Sequence, residues 1–110
     1  MSLSEWVMVV NVDIDPAIEK DWDNWYDTVH LPEIVACPGF VRAIRYKAQE
    51  PDEDSGRLHQ VTVYELDRSD AMNSPEFEAV RGVGPFTEQA NAKARLFRQH
   101  IVYEKGPSNA

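Results

Sequence analysis

The sequence predicts an α+β fold: a four-stranded antiparallel sheet with two helices on one face, in the order strand, helix, strand, strand, helix, strand. Three observations carry that reading. Four runs are dense in valine or alternate β-branched with polar residues. Two segments that begin at a proline and space their apolar residues as a helix does separate the first strand from the second and the third from the fourth. At 110 residues the chain has the length of one ordinary domain, here taken as 1–105 with a flexible tail over 106–110.

Each element has its own reason. Glu5–Ile14 is a nearly unbroken apolar run, as expected of a strand covered on both faces. Asp15 then supplies an N-cap oxygen and Pro16 a preset φ, while Ile18, Trp22, Trp25 and Val29 recur at spacings of four, three and four. This stripe predicts a helix that stops near His30, because Pro32 disfavours helical geometry at the residue before it; LPEIVA can start one further short turn. Pro38 and Gly39 fit the middle of a type II turn. Phe40–Lys47 is the second strand, Gln49–Arg57 a polar hairpin loop and Leu58–Leu66 the third strand. Ser69 and Ser74 are candidate caps, Pro75 suits a first helical position, and Phe77 and Val80 make a short stripe that Gly82 ends. After GVGPF and the polar TEQANAK, Ala94–Lys105 is the last strand.

With right-handed crossovers this order is the ferredoxin-like βαββαβ arrangement. It leaves one sheet face bare. On the third strand Val61 and Val63 suit the helices, and Gln60, Thr62 and Tyr64 then fall on the uncovered side. A second copy of the chain closing that face gives a two-fold homodimer.

Composition excludes several classes. Acidic residues outnumber basic ones 19 to 11, a formal charge of -8, which repels nucleic acid and anionic membrane surfaces. No apolar run is long enough to span a bilayer and no signal peptide opens the chain, so a cytoplasmic location is expected. Cys37 is the single cysteine; it has no disulfide partner and reads as a small packed residue. His30, His59 and His100 lack ligand spacing, the proline in HLPE disturbs a shared helical face, and GVGP is no phosphate loop, so neither metal nor cofactor is expected.

The run WYDTVHLPE (Trp25–Glu33), followed by PGF, the strand VRAIRY and a later SPEF helix, resembles the EthD-like family of dimeric α/β-barrel proteins over nearly the whole chain. This resemblance implies a cavity. Families sharing the barrel include cofactor-independent monooxygenases, lactone isomerases, polyketide cyclases and haem-degrading enzymes, and EthD-like proteins are associated with breakdown of small organic compounds.

Residue placement adds candidates. Tyr26 and His30 are four apart, Asp27 and His30 three apart, and Asp23 and Asp27 four apart, a polar flank beside the stripe. A carboxylate near an imidazole fixes its tautomer and raises its basicity, which makes His30, with Asp27, a candidate acid or base and Tyr26 a substrate-orienting group. Arg42 or Arg45, on opposite faces of the second strand, can supply a cation for developing oxyanion charge. Trp25, Thr62, Tyr64, Arg98 and His100 are candidate cavity residues. The expected ligand is a small hydrophobic or aromatic compound. Each candidate has a plainer reading: His30 as a helix C-terminal cap, the tryptophans as core, Asp27 as a solvated helix residue and the strand groups as interface packing. A non-catalytic binding protein uses the same cavity without turnover.

Overall fold

The computed structural model describes residues 4–106. Strands β1 (Trp6–Ile14), β2 (Phe40–Lys47), β3 (Leu58–Leu66) and β4 (Ala90–Arg98) form one antiparallel sheet in the order β2-β3-β1-β4. Helices α1 (Glu19–Trp25), α2 (Leu31–Val35) and α3 (Pro75–Val80) pack on one face, with short 3-10 turns at Pro16–Ile18 and Ala71–Asn73. The central position of β1 explains its unbroken apolar character, and the predicted fold class stands. The ends of both crossovers follow the sequence. The Asp15 carboxylate accepts the Ala17 N–H at 2.9 Å, and Ser74 Oγ accepts the Phe77 N–H at 3.1 Å. Gly39 takes φ 88°, as the Pro38-Gly39 turn demands, and a Cβ there would lie 2.8 Å from the Ala71 Cβ.

Three expectations need correction. First, the helix does not stop at His30. It continues from α1 into α2 through a π turn at Tyr26–His30, in which the Leu31 N–H bonds the Tyr26 carbonyl five residues back. Pro32 has no N–H for the Thr28 carbonyl, and its ring would crowd that carbonyl in an α-helix; the wider turn accommodates both problems. It also moves the buried stripe. Residues four apart drift by about 40° per step on an α-helix, and the wide turn takes part of that drift back. Trp22, Tyr26, His30 and Ile34 consequently all face inward and are buried, whereas Val29, expected in the stripe, is exposed.

Second, the faces of β3 are reversed. Gln60, Thr62 and Tyr64 lie buried under the helices with Met8, Val12 and Ile14 of β1, and Val61 and Val63 lie on the open face. Gln60 Oε1, Thr62 Oγ1 and the Tyr64 hydroxyl each find a partner there, as described below, while Gln60 Nε2 has none. Third, the last strand starts at Ala90 and ends at Arg98; the Gln99 N–H still bonds the Glu5 carbonyl at 2.7 Å, but Gln99–Lys105 lies outside the strand. The tail expected over 106–110 lies outside the described residues except for Gly106.

A β-bulge sorts the two arginines of β2. Phe40 pairs with Leu66 and Arg42 with Glu65, leaving Val41 as the extra residue. Phe40, Ala43 and Arg45 therefore face the helices, while Arg42, Ile44 and Tyr46 face the open side. The core divides into two clusters. One gathers Met8, Ile34, Phe40, Tyr64 and Phe77, the other Val12, Ile14, Trp22, Tyr26 and Ala90. A hollow lies where the two meet.

Candidate functional site

The hollow has a volume of about 70 Å3 and sits between helices and sheet, inside the protomer. The inward stripe of Trp22, Tyr26, His30 and Ile34 forms its helical wall, Met8, Val10 and Tyr64 its floor, and Phe77, Arg81 and Gly82 one side. β4 contributes Ala92 and Ala94. Both face the helices in register with Val12 and Val10, and two such short side chains in a row leave the space open.

His30 is the group with unusual surroundings. It is only 5% exposed, and its Nδ1 is buried with no hydrogen-bond partner. The ring stacks on Trp25 with centroids 4.6 Å apart at 19° and meets Tyr26 edge-on at 5.0 Å. Burial lowers its pKa from 6.5 to about 4, so the imidazole is neutral at physiological pH. A cap on the helix end is not its role, since the helix runs on past it.

Behind Tyr26 a polar row crosses the sheet. Thr62 Oγ1 donates to the Tyr26 hydroxyl at 3.1 Å, and the Tyr26 and Tyr64 hydroxyls are 3.3 Å apart. Burial, and then the neighbouring Tyr26, push the Tyr64 pKa up, so its phenol stays protonated. Gln60 Oε1 accepts from Trp22 Nε1 at 2.9 Å and also from Arg45. Arg45 is held further by Asp23 at 2.6 Å and Asp27 at 2.9 Å, its Nε is buried without a partner, and its guanidinium lies 4.8 Å from the Tyr26 ring centroid. Burial opposes the ionised form of Asp23, but hydrogen bonds from Lys47 and Arg45 outweigh it and hold the pKa below the usual carboxylate range.

The structure thus brings His30, Tyr26 and Tyr64 to one cavity, with Trp25 and Thr62 directly behind them. It separates the rest. Asp27 is paired with Arg45 rather than with His30. Arg45 faces the helices but is not among the residues lining the hollow, and Arg42 pairs with Glu65 on the open face. His100 and Arg98 border a shallow groove beside Glu5 and Gln99, away from the imidazole. Cys37 is buried, with its pKa raised by that burial and by Glu76 and Glu33. Sequence reasoning missed Arg81, Gly82, Ala92 and Ala94. The alanine alternation at 90, 92 and 94 was the available signal, because alanine is a poor strand former and says that something other than strand stability chose it.

Among the described residues no group of three or more His, Cys, Asp or Glu side chains is placed to hold a metal ion, and no helix is long and apolar enough to cross a membrane.

Solved structures share this architecture. HapK from Hahella chejuensis is 18% identical, with 92% of this chain and 99% of that chain covered and a TM-score of 0.64. SnoaB from Streptomyces nogalater, described as a cofactor-independent oxygenase, is 18% identical over 93% of this chain and 100% of its own, with a TM-score of 0.56. PA3566 from Pseudomonas aeruginosa is 11% identical over 92% and 98%, also at 0.56. At these identities the likeness is one of fold, a four-stranded antiparallel ferredoxin-like sheet with helices on one face. No curated protein sequence matches the chain. A family model does match, over residues 6–74, which include β1, the wide helical turn, β2 and β3, and the chain belongs to that family, described as Domain of unknown function (DUF4286).

Proposed function

We propose that the hollow is the substrate site of a cofactor-independent enzyme, monooxygenase-like or isomerase-like, that acts on a small hydrophobic or aromatic compound with His30 as the acid/base. The observation that carries this reading is a buried, neutral imidazole, stacked on Trp25, in the wall of a mostly apolar cavity. A buried nitrogen left without a partner costs about 1–3 kcal/mol, and His30 Nδ1 is such an atom.

The chemistry follows from charge. A neutral His30 accepts a proton from an acidic C–H or O–H of the ligand, and although its pKa in the empty site is low, the carbanion or enolate formed beside it stabilises the imidazolium in the water-poor hollow. If Tyr64 donates to Tyr26, Tyr26 accepts twice and its own proton is free to orient the ligand. In an isomerisation the proton returns at another atom. In an oxygenation the carbanion gives its electrons to O2, one oxygen atom replaces the two hydrogens of that carbon and the other leaves as water. The description of SnoaB as a cofactor-independent oxygenase supports the second course. The kinship we propose for the Trp25–Phe40 run is with EthD-like proteins, and the setting is a cytoplasmic, catabolic one.

The homodimer belongs to the same reading. The open sheet face carries the half-buried Val7, Val9, Ile44, Val61 and Val63 beside exposed Tyr46 and Phe97, an apolar surface that a second copy covers. Sedimentation at micromolar concentration checks it, with a dimer expected; a monomer removes this part.

Solvent-deuterium uptake and oxygen consumption, measured over a panel of phenols and CH-acidic aromatic ketones, test the enzyme. At least one compound should show turnover that His30→Ala abolishes while ligand binding and folding persist. Turnover retained by His30→Ala removes His30 from the chemistry. Binding without turnover in the unaltered protein, with His30→Ala changing affinity alone, makes this a binding or accessory protein instead.

A further inference from the structure

The cavity wall holds one cation, and it is neither of those the sequence nominated. Arg42 faces the other side of the sheet against Glu65, and Arg45 is held by Asp23, Asp27 and Gln60. Arg81, directly after α3, lines the hollow together with His30. Its guanidinium rests 5.4 Å from the ring centroid of Phe77, which also lines the hollow. Arg81 forms an ion pair with Glu78 Oε2 at 3.6 Å, on a side chain that is 70% exposed. That is an exposed pair of small worth, easily exchanged for a better acceptor.

Size limits what can enter. An apolar cavity of about 150 Å3 holds a benzene ring, and this one is about 70 Å3. The part of a ligand that fits between Arg81 and His30 is a small planar head rather than a ring. A guanidinium matches a planar oxygen pair or a single ionised oxygen in geometry and charge.

We infer that Arg81 anchors the ligand through an anionic oxygen, so that the site selects compounds whose head group is a carboxylate, or a carbonyl that becomes an enolate as His30 takes its proton, with the apolar body outside the hollow. This rests on the substrate-site reading above and supplies its oxyanion partner: charge that develops as His30 takes a proton is met by Arg81. Arg81 is a positioning and specificity residue on this account, and Glu78 is its resting counter-ion.

Propionate and propionamide, equal in size and different in charge, are the probes. NMR titration of the intact protein, read at the His30 ring and the Trp25 indole, should give at least tenfold tighter binding for propionate. Arg81→Gln should weaken propionate at least tenfold and leave propionamide unchanged, Arg81→Lys should fall between, and Glu78→Gln should not weaken it. Equal affinities for the two probes, or propionate binding indifferent to Arg81→Gln, overturn the assignment while leaving the cavity as a ligand site. If neither probe moves the His30 or Trp25 signals, the ionised-head proposal fails, and turnover lost in His30→Ala decides separately whether the substrate-site reading survives.

Discussion

Keeping an imidazole neutral inside the fold ties stability to pH. His30 has an ordinary pKa of 6.5, lowered by burial to about 4. Between those values the unfolded chain takes up a proton that the folded chain refuses. The stabilisation is therefore complete above 6.5 and is lost as pH falls through the window toward 4. At about 1.4 kcal/mol per pH unit, the whole gap is worth about 3 kcal/mol, a large share of the roughly 5–15 kcal/mol that holds a domain of this kind together. Urea denaturation followed by tryptophan fluorescence, at about pH 7 and about pH 4.5, measures it when His30→Gln is run in parallel. Carboxylates titrate in both proteins, so their contribution cancels in the difference. Integrating the linkage relation to about pH 4.5, the parent should lose about 2.5 kcal/mol more than the variant. Parallel stability profiles for the two would mean that the ring titrates as it does in water, and the buried-base argument would fail.

Other expectations follow from the same contacts. If His30 is the base, the acid limb of kcat/KM for any substrate found should fall near pH 4 rather than near 6.5; a limb at 6.5 assigns the chemistry elsewhere. Gln60→Leu removes the acceptor shared by Trp22 and Arg45 and should cost about 3 kcal/mol in chemical denaturation, whereas a loss under about 1 kcal/mol would show that the polar row contributes little. Gly84→Ala places a Cβ 2.5 Å from Trp25 Cζ2 at φ +55° and should destabilise by about 1–3 kcal/mol with altered near-ultraviolet dichroism; an unchanged Tm would refute the close packing. Pro32→Ala restores the missing N–H and permits an ordinary α turn. Stability should then hold or rise while the His30 titration, followed by NMR, moves up toward 6.5, and an unmoved titration would show that the proline does not maintain the wide turn.

Much of the fold could be read from residue patterns, because strands and caps depend on neighbours in sequence. Asp15-Pro16, Ser74-Pro75 and Pro38-Gly39 each act within a few residues, and each element they begin or end lies where expected. Failures came where two distant segments decide together. The rule that a residue before proline leaves the helix is statistical, and at Leu31 packing of the following turn overrides it, since Ile34 is 1% exposed in the core. The polar row of β3 reads as a solvent face until its partners on α1 and in the wide turn are known, because Gln60 and Thr62 are buried only by virtue of Trp22, Tyr26 and Arg45. Of the candidate site, the Tyr26 and His30 pair was legible from its four-residue spacing, whereas the spacing of Trp25 placed it in the apolar stripe. The choice among arginines was not, for it turns on a single extra residue at Val41 and on a loop, Arg81–Gly82, whose approach to the helix has no local signature.

Four departures from local rules coincide. A proline sits inside a helix, the turn before it is widened, an imidazole nitrogen is buried without a partner, and an edge strand carries alanine at 90, 92 and 94 where β-branched residues would hold better. Any one of these has a bland explanation, but they share no sequence neighbourhood: the first three lie between residues 26 and 32, the last beyond residue 89. What they share is the hollow. Tyr26 and His30 from the wide turn and Ala92 and Ala94 from β4 all line it. Filling that space with larger strand residues and replacing the imidazole by an apolar side chain would satisfy every local preference at once, and selection for stability alone drives a sequence toward that solution. The persistence of a mostly apolar hollow with an imidazole and a phenol in its wall is the physical reason to regard it as a site.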